Sequence, residues 1–240
     1  MKRNVDYYEH QLKEKMTEIR ILKKISEIIG HNQDLRQILS SVIKLVSGFA
    51  KSDSCFIYLI DGENIILEAS QNPHRAALGK IKMKMGEGIT GWVAKHKKAV
   101  TISAKAYKDE RFKFFNMLPE DKFEAFLSIP IVSKENVVGV INVQHITERK
   151  YDKDRVAFLE IVSRLIGGAI ENARLLSQTN LLKEALETRR ALDRAKSILM
   201  EKYSLTETEA HRLLNKKSMD KRRPIKEIAE AIILSAEILK

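Results

Sequence analysis

Apolar residues recur along this chain with different periods, and each change of period marks a part. Residues 4–29 contain neither Gly nor Pro and place Val5, Tyr8, Leu12, Ile19, Leu22 and Ile29 on heptad positions, a seam that Lys15 and Ser26 interrupt. Such a pattern fits a short, imperfect coiled coil, and equally a surface helix packed on its own domain. Gly30-His31-Asn32 ends that helix. Over residues 33–50 a second amphipathic helix is predicted, with Leu35, Ile38, Leu39, Val42, Leu45, Val46 and Phe49 on one face. The period then shortens. Residues 54–60 and 65–69 read as strands around the turn Asp61-Gly62-Glu63-Asn64, and a third strand follows near 81–85. Gly86, Gly88 and Gly91 open a short helix over 90–95 that carries Trp92, the only tryptophan. Residues 103–124 are polar, aromatic and irregular, and strands at 125–132 and 137–144 close the unit. Helix, strands, loop and strands without βαβ alternation predict an α+β domain with an antiparallel sheet.

Asp152 is a good N-cap for a long helix whose apolar face is Val156, Leu159, Val162, Leu165, Ile166, Ala169, Ile170 and Ala173. Gly167-Gly168 inside it lowers helix propensity and predicts close approach by another helix. The pattern runs on through Leu175, Leu176, Leu182, Ala185 and Leu192 without Pro or Gly. It predicts a coiled-coil connector of about fifty residues, ~75 Å long at 1.5 Å per residue; a break near residues 177–180 is the alternative. The last fifty residues read as three short amphipathic helices around one small core. Thr206 with Glu209 forms a capping box. Ala210, Leu213, Leu214 and Met219 are expected to face inward, and Pro224 suits the first turn of a helix that turns Ile225, Ile228, Ala229 and Ile232 to the core. The expected organisation is an N-terminal helix (1–30), a middle domain (31–175), and a connector with a helical module (176–240).

Composition sharpens this picture in three places. At 240 residues and 44% hydrophobic, the chain can hold one ordinary domain and a smaller one. The net charge of +11 is spread over all parts and says little about partners. The run at residues 212–223 says more: Arg212, Lys216, Lys217, Lys221, Arg222 and Arg223 stand against a single acid, Asp220. A one-sided cationic rim on a small helical module points to nucleic acid, and a solvated charged face is the alternative. A lone cysteine, Cys55, excludes a disulfide, a CxxC pair and a cysteine zinc site within one chain. No apolar run has the length of a membrane span and the N-terminus is a mixed-charge helix rather than a signal peptide, so a cytoplasmic location is expected.

Residues 33–175 resemble a GAF domain. The matching stretches are Ser54-Cys55-Phe56-Ile57-Tyr58-Leu59 with its acidic turn, Met85-Gly86-Glu87-Gly88-Ile89-Thr90-Gly91-Trp92-Val93-Ala94, and Asp109-Glu110-Arg111-Phe112. Phe126-Leu127-Ser128-Ile129-Pro130-Ile131, Val138-Gly139-Val140-Ile141-Asn142-Val143 and Gly168-Ala169-Ile170-Glu171-Asn172-Ala173 complete them. The resemblance implies a mainly antiparallel sheet, with the first and last helices on one face and a small-molecule pocket on the other. The glycine-rich turn presents amides to an anion, or is simply a structural turn. The Asn-Lys-x-Phe-Asp signature of cyclic-nucleotide-binding members is missing. Cys55 lies in a strand rather than in the loop that carries bilin, and one cysteine is too few for methionine-sulfoxide reduction. Tyr58, Trp92, Phe126 and residues of the 103–118 loop remain as candidate walls of a pocket, or as plain core. No cofactor is expected beyond an unknown small-molecule ligand there.

Residues 185–239 resemble an ANTAR domain, an RNA-binding antiterminator module. The resemblance rests on Ala195-Lys196-x-x-Leu199-Met200, Leu205-Thr206-x-x-Glu209-Ala210, Leu213-Leu214, Ser218-Met219 and Ile228-Ala229-x-x-Ile232. It implies binding, usually as a dimer, to paired RNA stem-loops with small loops, which prevents transcription termination. Lys196, Arg212, Lys216, Lys217, Lys221, Arg222 and Arg223 become the expected RNA-binding residues, with Arg suited to stacking and Lys to phosphate. His211 and Asn215 depart from the usual pattern of an aromatic and a basic residue, which affects the shape of the rim. The expectation is a transcription antitermination regulator, homodimeric through its helical coiled coil, that binds leader mRNA with tandem stem-loops and needs neither membrane nor metal. No nucleophile–base pair, paired acids or metal cluster suggests an enzyme. The alternative is a DNA-binding regulator with a helix-turn-helix tail; a basic loop of about five residues ending in Pro224, rather than a tight turn with glycine, argues against it.

Overall fold

The computed structural model describes residues 2–31, 34–71, 77–113, 115 and 122–238. The chain forms two compact units, Met1–Arg174 and Leu175–Lys240. In the first, helices α1 (Lys2–His31) and α2 (Leu35–Ala50) precede strands β1 (Ser54–Asp61), β2 (Asn64–Ser70) and β3 (Lys82–Lys84). Helix α3 (Gly88–His96) leads into β4 (Val100–Ile102), a 3-10 turn at Ala106–Lys108, β5 (Ala125–Ser133) and β6 (Asn136–His145). The order across the sheet is β3-β2-β1-β6-β5-β4, and every pairing is antiparallel. Strand β4 escaped the sequence reading because only three residues, held between lysines and Ser103, carry it.

Both faces of the sheet are covered, which is why its central strands read as nearly continuous apolar runs. On one face Cys55, Ile57, Leu127, Ile129, Ile141 and Val143 meet α2 and the first turns of helix α4 (Lys153–Tyr203), through Leu39, Val42, Phe158, Val162 and Ile166. On the other, Phe56, Tyr58, Met83, Phe126 and Val140 pack beneath α3, against Ile89 and Val93. Cys55 is fully buried, and burial pushes its thiol well above the usual range, as suits a small core residue.

Helix α1 divides along its length. Ile25 is fully buried in the core, with Ile21, Leu22, Ile28 and Ile29 packed around it, so its last turns belong to the first unit. Tyr8 (68% exposed), Leu12, Met16 and Ile19 form a solvent-facing stripe. Helix α2 is closed by caps at both ends: Asp34 accepts from Arg36 N at 2.8 Å, and Lys51 turns left-handed. Gly91, Gly139 and Gly167 are fixed by close approach. A Cβ on Gly91 would lie 2.6 Å from the Lys84 carbonyl oxygen, so only glycine lets α3 sit this tightly on the strand end. On Gly167 a Cβ would overlap the Val132 carbonyl, whereas Gly168 faces open space. The neighbour that Gly167 admits is therefore strand β5, not a second helix as its position suggested.

Asp152 caps α4 by accepting from Arg155 N at 2.7 Å, and the helix runs 51 residues with no break at 177–180. The second unit joins its last turns to α5 (Glu207–Lys221) and α6 (Ile225–Ile238). Ala195, Leu199, Ala210, Leu214 and Ala229 are buried at the centre, with Leu192, Leu205, Leu213, Ile225, Ile228 and Ile232 around them. Three of the five central residues are alanine, which brings the helix axes close together. The capping box at Thr206 is present in both directions: its hydroxyl accepts from Glu209 N, and the Glu209 carboxylate accepts from Thr206 N at 2.9 Å. Met219 is 78% exposed rather than inward. It lies five residues past Leu214, about 140° around the helix from it and on the solvent side. The α5–α6 connection is Arg222, Arg223 and Pro224, three residues instead of five, because α5 continues through Lys221.

Candidate functional site

The C-terminal half of α5 and the turn after it concentrate positive charge on the surface. Arg212, Lys216, Lys217, Lys221, Arg222 and Arg223 are all exposed. Arg212 and Lys216, and Lys217 and Lys221, are four residues apart, so each pair shares a helical face. Arg222 closes the helix in the left-handed conformation (φ 52°), its N–H donating to the carbonyls of Met219 and Ser218. Arg223 N donates to Ser218 O at 3.1 Å, and the Ser218 hydroxyl donates to Arg223 O at 2.6 Å. These main-chain bonds hold the turn firmly, and both guanidinium groups extend from it. Cations here also suit the negative end of the helix dipole. Within the run, the one salt bridge among the described residues is Arg223–Glu227 at 3.7 Å.

Three other cations of the second unit, Lys226, Arg194 and Lys196, are engaged between its helices. Lys226 on α6 reaches Glu187 on α4 at 2.9 Å, and Arg194 on α4 reaches Glu237 on α6 at 2.7 Å. Lys196, expected at the interface, has a side chain only 17% exposed, with Nζ 2.7 Å from Glu207 and 2.9 Å from Asp193. Glu207 first and Asp193 second hold its ammonium above the usual lysine range. Lys196 thus ties α4 to the start of α5.

In the first unit a cavity of about 40 Å³ lies between the sheet and α3. Tyr58 and Phe126 line it, together with Phe56, Phe112, Phe115 and Gln144. Trp92 is outside its lining, stacked on His96 at 4.2 Å with the Arg111 guanidinium 5.0 Å from its ring. At the rim, Lys113 Nζ is paired with Glu87, whose other oxygen accepts from Lys84 N at 2.8 Å. Lys113 is the larger cause holding the Glu87 carboxyl below the usual range. Among the described residues no group of three or more His, Cys, Asp or Glu could hold a metal ion, and no helix is long and apolar enough to cross a membrane.

Residues 32–171, which form the antiparallel sheet and its flanking helices, match a known family model, described as the GAF domain. The chain belongs to the GAF domain family. An ANTAR domain model follows it over residues 180–233, so the exposed cationic run falls within the ANTAR domain. The solved GAF domain of a phosphoenolpyruvate-protein phosphotransferase (ptsP) from Coxiella burnetii superposes with a TM-score of 0.63 at 23% identity, covering 68% of this chain and 98% of that one. Among curated proteins, the Nif-specific regulatory protein of Azospirillum brasilense is 25% identical over 67% of this chain and 27% of its own length. The chain thus spans about a quarter of that relative. The transcriptional regulatory protein PdtaR of Mycobacterium tuberculosis (strain CDC 1551 / Oshkosh) is 32% identical over 40% of this chain and 52% of its own. The pairing of a GAF sensor domain with an ANTAR domain is that of a regulator.

The cavity of the GAF domain also has polar walls that the sequence reading passed over: Thr90, Asn142 and Gln144. A signal was present. Asn142 and Gln144 alternate within the otherwise apolar run 137–144, and on a sheet buried on both faces each must point into protein.

Proposed function

We propose that this protein is a transcription antitermination regulator whose ANTAR domain binds paired RNA stem-loops through Arg212, Lys216, Lys217, Lys221, Arg222 and Arg223. The observation that carries this reading is the division of labour among the cations. Lys196, Arg194 and Lys226 hold the helices together through carboxylates, whereas the α5 run stays exposed with a single salt bridge among the described residues. Phosphate contacts need solvent-facing cations whose counterions can be released. In this account Lys196 positions α5 rather than touching RNA. The GAF domain senses a small molecule, dimerises the chain, or does both. Leu175, Leu182 and Leu186 expose apolar surface along α4, and pairing of this helix with its copy would bring two ANTAR domains onto tandem hairpins in leader mRNA. Such a protein works in the cytoplasm.

A three-residue connection between α5 and α6 keeps DNA in view, because helix-turn-helix turns are about that short. Charge placement argues the other way. The second helix of such a motif enters the major groove, yet α6 carries Glu227, Glu230 and Glu237 against one lysine, Lys226, which is already paired. Competition between hairpin RNA and duplex DNA for the full chain tests the choice. Hairpin RNA should displace duplex DNA, and preferential retention of the DNA would overturn the RNA reading.

A further inference from the structure

The sheet face beneath α3 carries polar side chains where apolar ones would pack. Two hydrogen bonds link two of them to Thr90 on α3: the Ser128 hydroxyl donates to Asn142 Oδ1 at 2.7 Å, and Asn142 Nδ2 donates to Thr90 Oγ1 at 2.7 Å. That chain fixes the first turn of α3 over the sheet. Gln144, two residues further on the same face of β6, is different. It is 5% exposed, lines the 40 Å³ cavity, and its Oε1 is buried without a hydrogen-bond partner. Ser54, opposite Gln144 in the β1–β6 register, is fully buried and its Oγ also lacks a partner. A buried acceptor left unpaired is costly, and replacing it with an apolar side chain would remove that cost. An acceptor kept in such a place has a use when something donates to it.

The cavity limits what that donor is. Its walls are largely aromatic, from Phe56, Tyr58, Phe112, Phe115 and Phe126. Among the described residues, the only ionisable side chain in the lining other than the Tyr58 phenol is Lys113, and it is paired with Glu87. A charged guest would lose its hydration without gaining an unpaired counter-charge, so the site selects a neutral one. At about 40 Å³ it exceeds the ~10–15 Å³ that one water needs and falls well short of the ~150 Å³ of an engineered cavity that holds benzene.

We propose that this cavity binds a neutral molecule of a few heavy atoms bearing an N–H or O–H donor, of the primary-amide or alcohol class, with Gln144 Oε1 as acceptor. Its use as a signal rests on the reading of the GAF domain as a sensor; its binding does not.

The test titrates the full chain with acetamide and follows the side-chain amide resonances of Asn142 and Gln144 by NMR. Acetate serves as a charged control of similar size, and N,N-dimethylacetamide as one without a donor. Acetamide should shift these resonances saturably, with a Kd no tighter than roughly tens of micromolar for four heavy atoms, and the controls should not. Gln144→Leu should weaken binding roughly tenfold while leaving the melting temperature equal or higher, because an unpaired acceptor has gone. Absence of a saturable shift, an equal response to acetate, or unchanged affinity in Gln144→Leu would each overturn the proposal and leave water as the occupant. Saturable acetamide binding that leaves RNA affinity unchanged would instead count against the sensor reading alone.

Discussion

Replacing Arg222 by Asn and Arg223 by Gln removes two charges from the cationic run while leaving the turn that carries them. Position 222 needs a left-handed backbone, which Asn tolerates and Ala resists, so Arg222→Asn keeps the helix end. The bonds that lock residue 223, from its N to Ser218 O and from the Ser218 hydroxyl to its carbonyl, are main-chain contacts that Gln preserves. Among the described residues, the only salt bridge lost is the exposed Arg223–Glu227 pair at 3.7 Å, of the kind that contributes ~0–1 kcal/mol. Stability should therefore barely change. If each guanidinium neutralises one phosphate, two contacts lower the steepness of log K against log salt by roughly 1.4–1.8. Carried to physiological salt, that slope corresponds to a loss of roughly 15- to 30-fold in RNA affinity. Filter binding of hairpin RNA over a salt series, with circular dichroism as the control for folding, measures both quantities. A folded variant with unchanged slope and affinity would show that these arginines lie outside the interface.

Three further outcomes follow from other parts of the molecule. Gly167→Ala should destabilise the GAF domain by about 1–3 kcal/mol in denaturant unfolding, because its methyl meets the Val132 carbonyl, while Gly168→Ala, in open space, should not destabilise; equal effects would contradict the close approach. Leu176→Glu with Leu182→Glu alters two exposed positions (44% and 71%) and should leave each domain folded but dissociate the dimer in sedimentation; a double variant that stays dimeric removes α4 from the interface. Burial holds the His145 imidazole below its ordinary range, between Ala50 O and the Tyr151 hydroxyl, with Arg149 and Asp53 as its charged neighbours. The unfolded chain then binds the proton more readily, so stability should be full above a pH of about 6.5 and decline as pH falls through it. His145→Gln should flatten that profile in thermal melts, and a profile that rises on acidification would reverse the assignment.

Elements with strong periodicity or defined caps were legible in the sequence. The Thr206 capping box, the Asp152 cap, the apolar face of α2 and the unbroken α4 each follow from local chemistry that tertiary contacts reinforce. What the sequence hid depends on contacts between distant segments. Ile25 lies off the heptad seam of α1, yet it is the residue that enters the core. The neighbour of Gly167 is a strand carbonyl that no helix pattern announces. Met219 shares the apolar character of Leu214 but not its side of α5. The basic run was visible as composition. That Lys196 is clamped by Asp193 and Glu207 became visible only once α5 was folded against α4.

The central claim is that two copies of the cationic α5 run grip two hairpins at once. Binding of the full chain to leader-type RNA with two tandem hairpins, compared at one salt concentration with the same RNA reduced to one hairpin, tests it most directly. Linkage predicts that the tandem RNA binds roughly 10²–10⁴-fold more tightly. A folded, dimeric chain that binds one and two hairpins equally, or neither, would contradict the account.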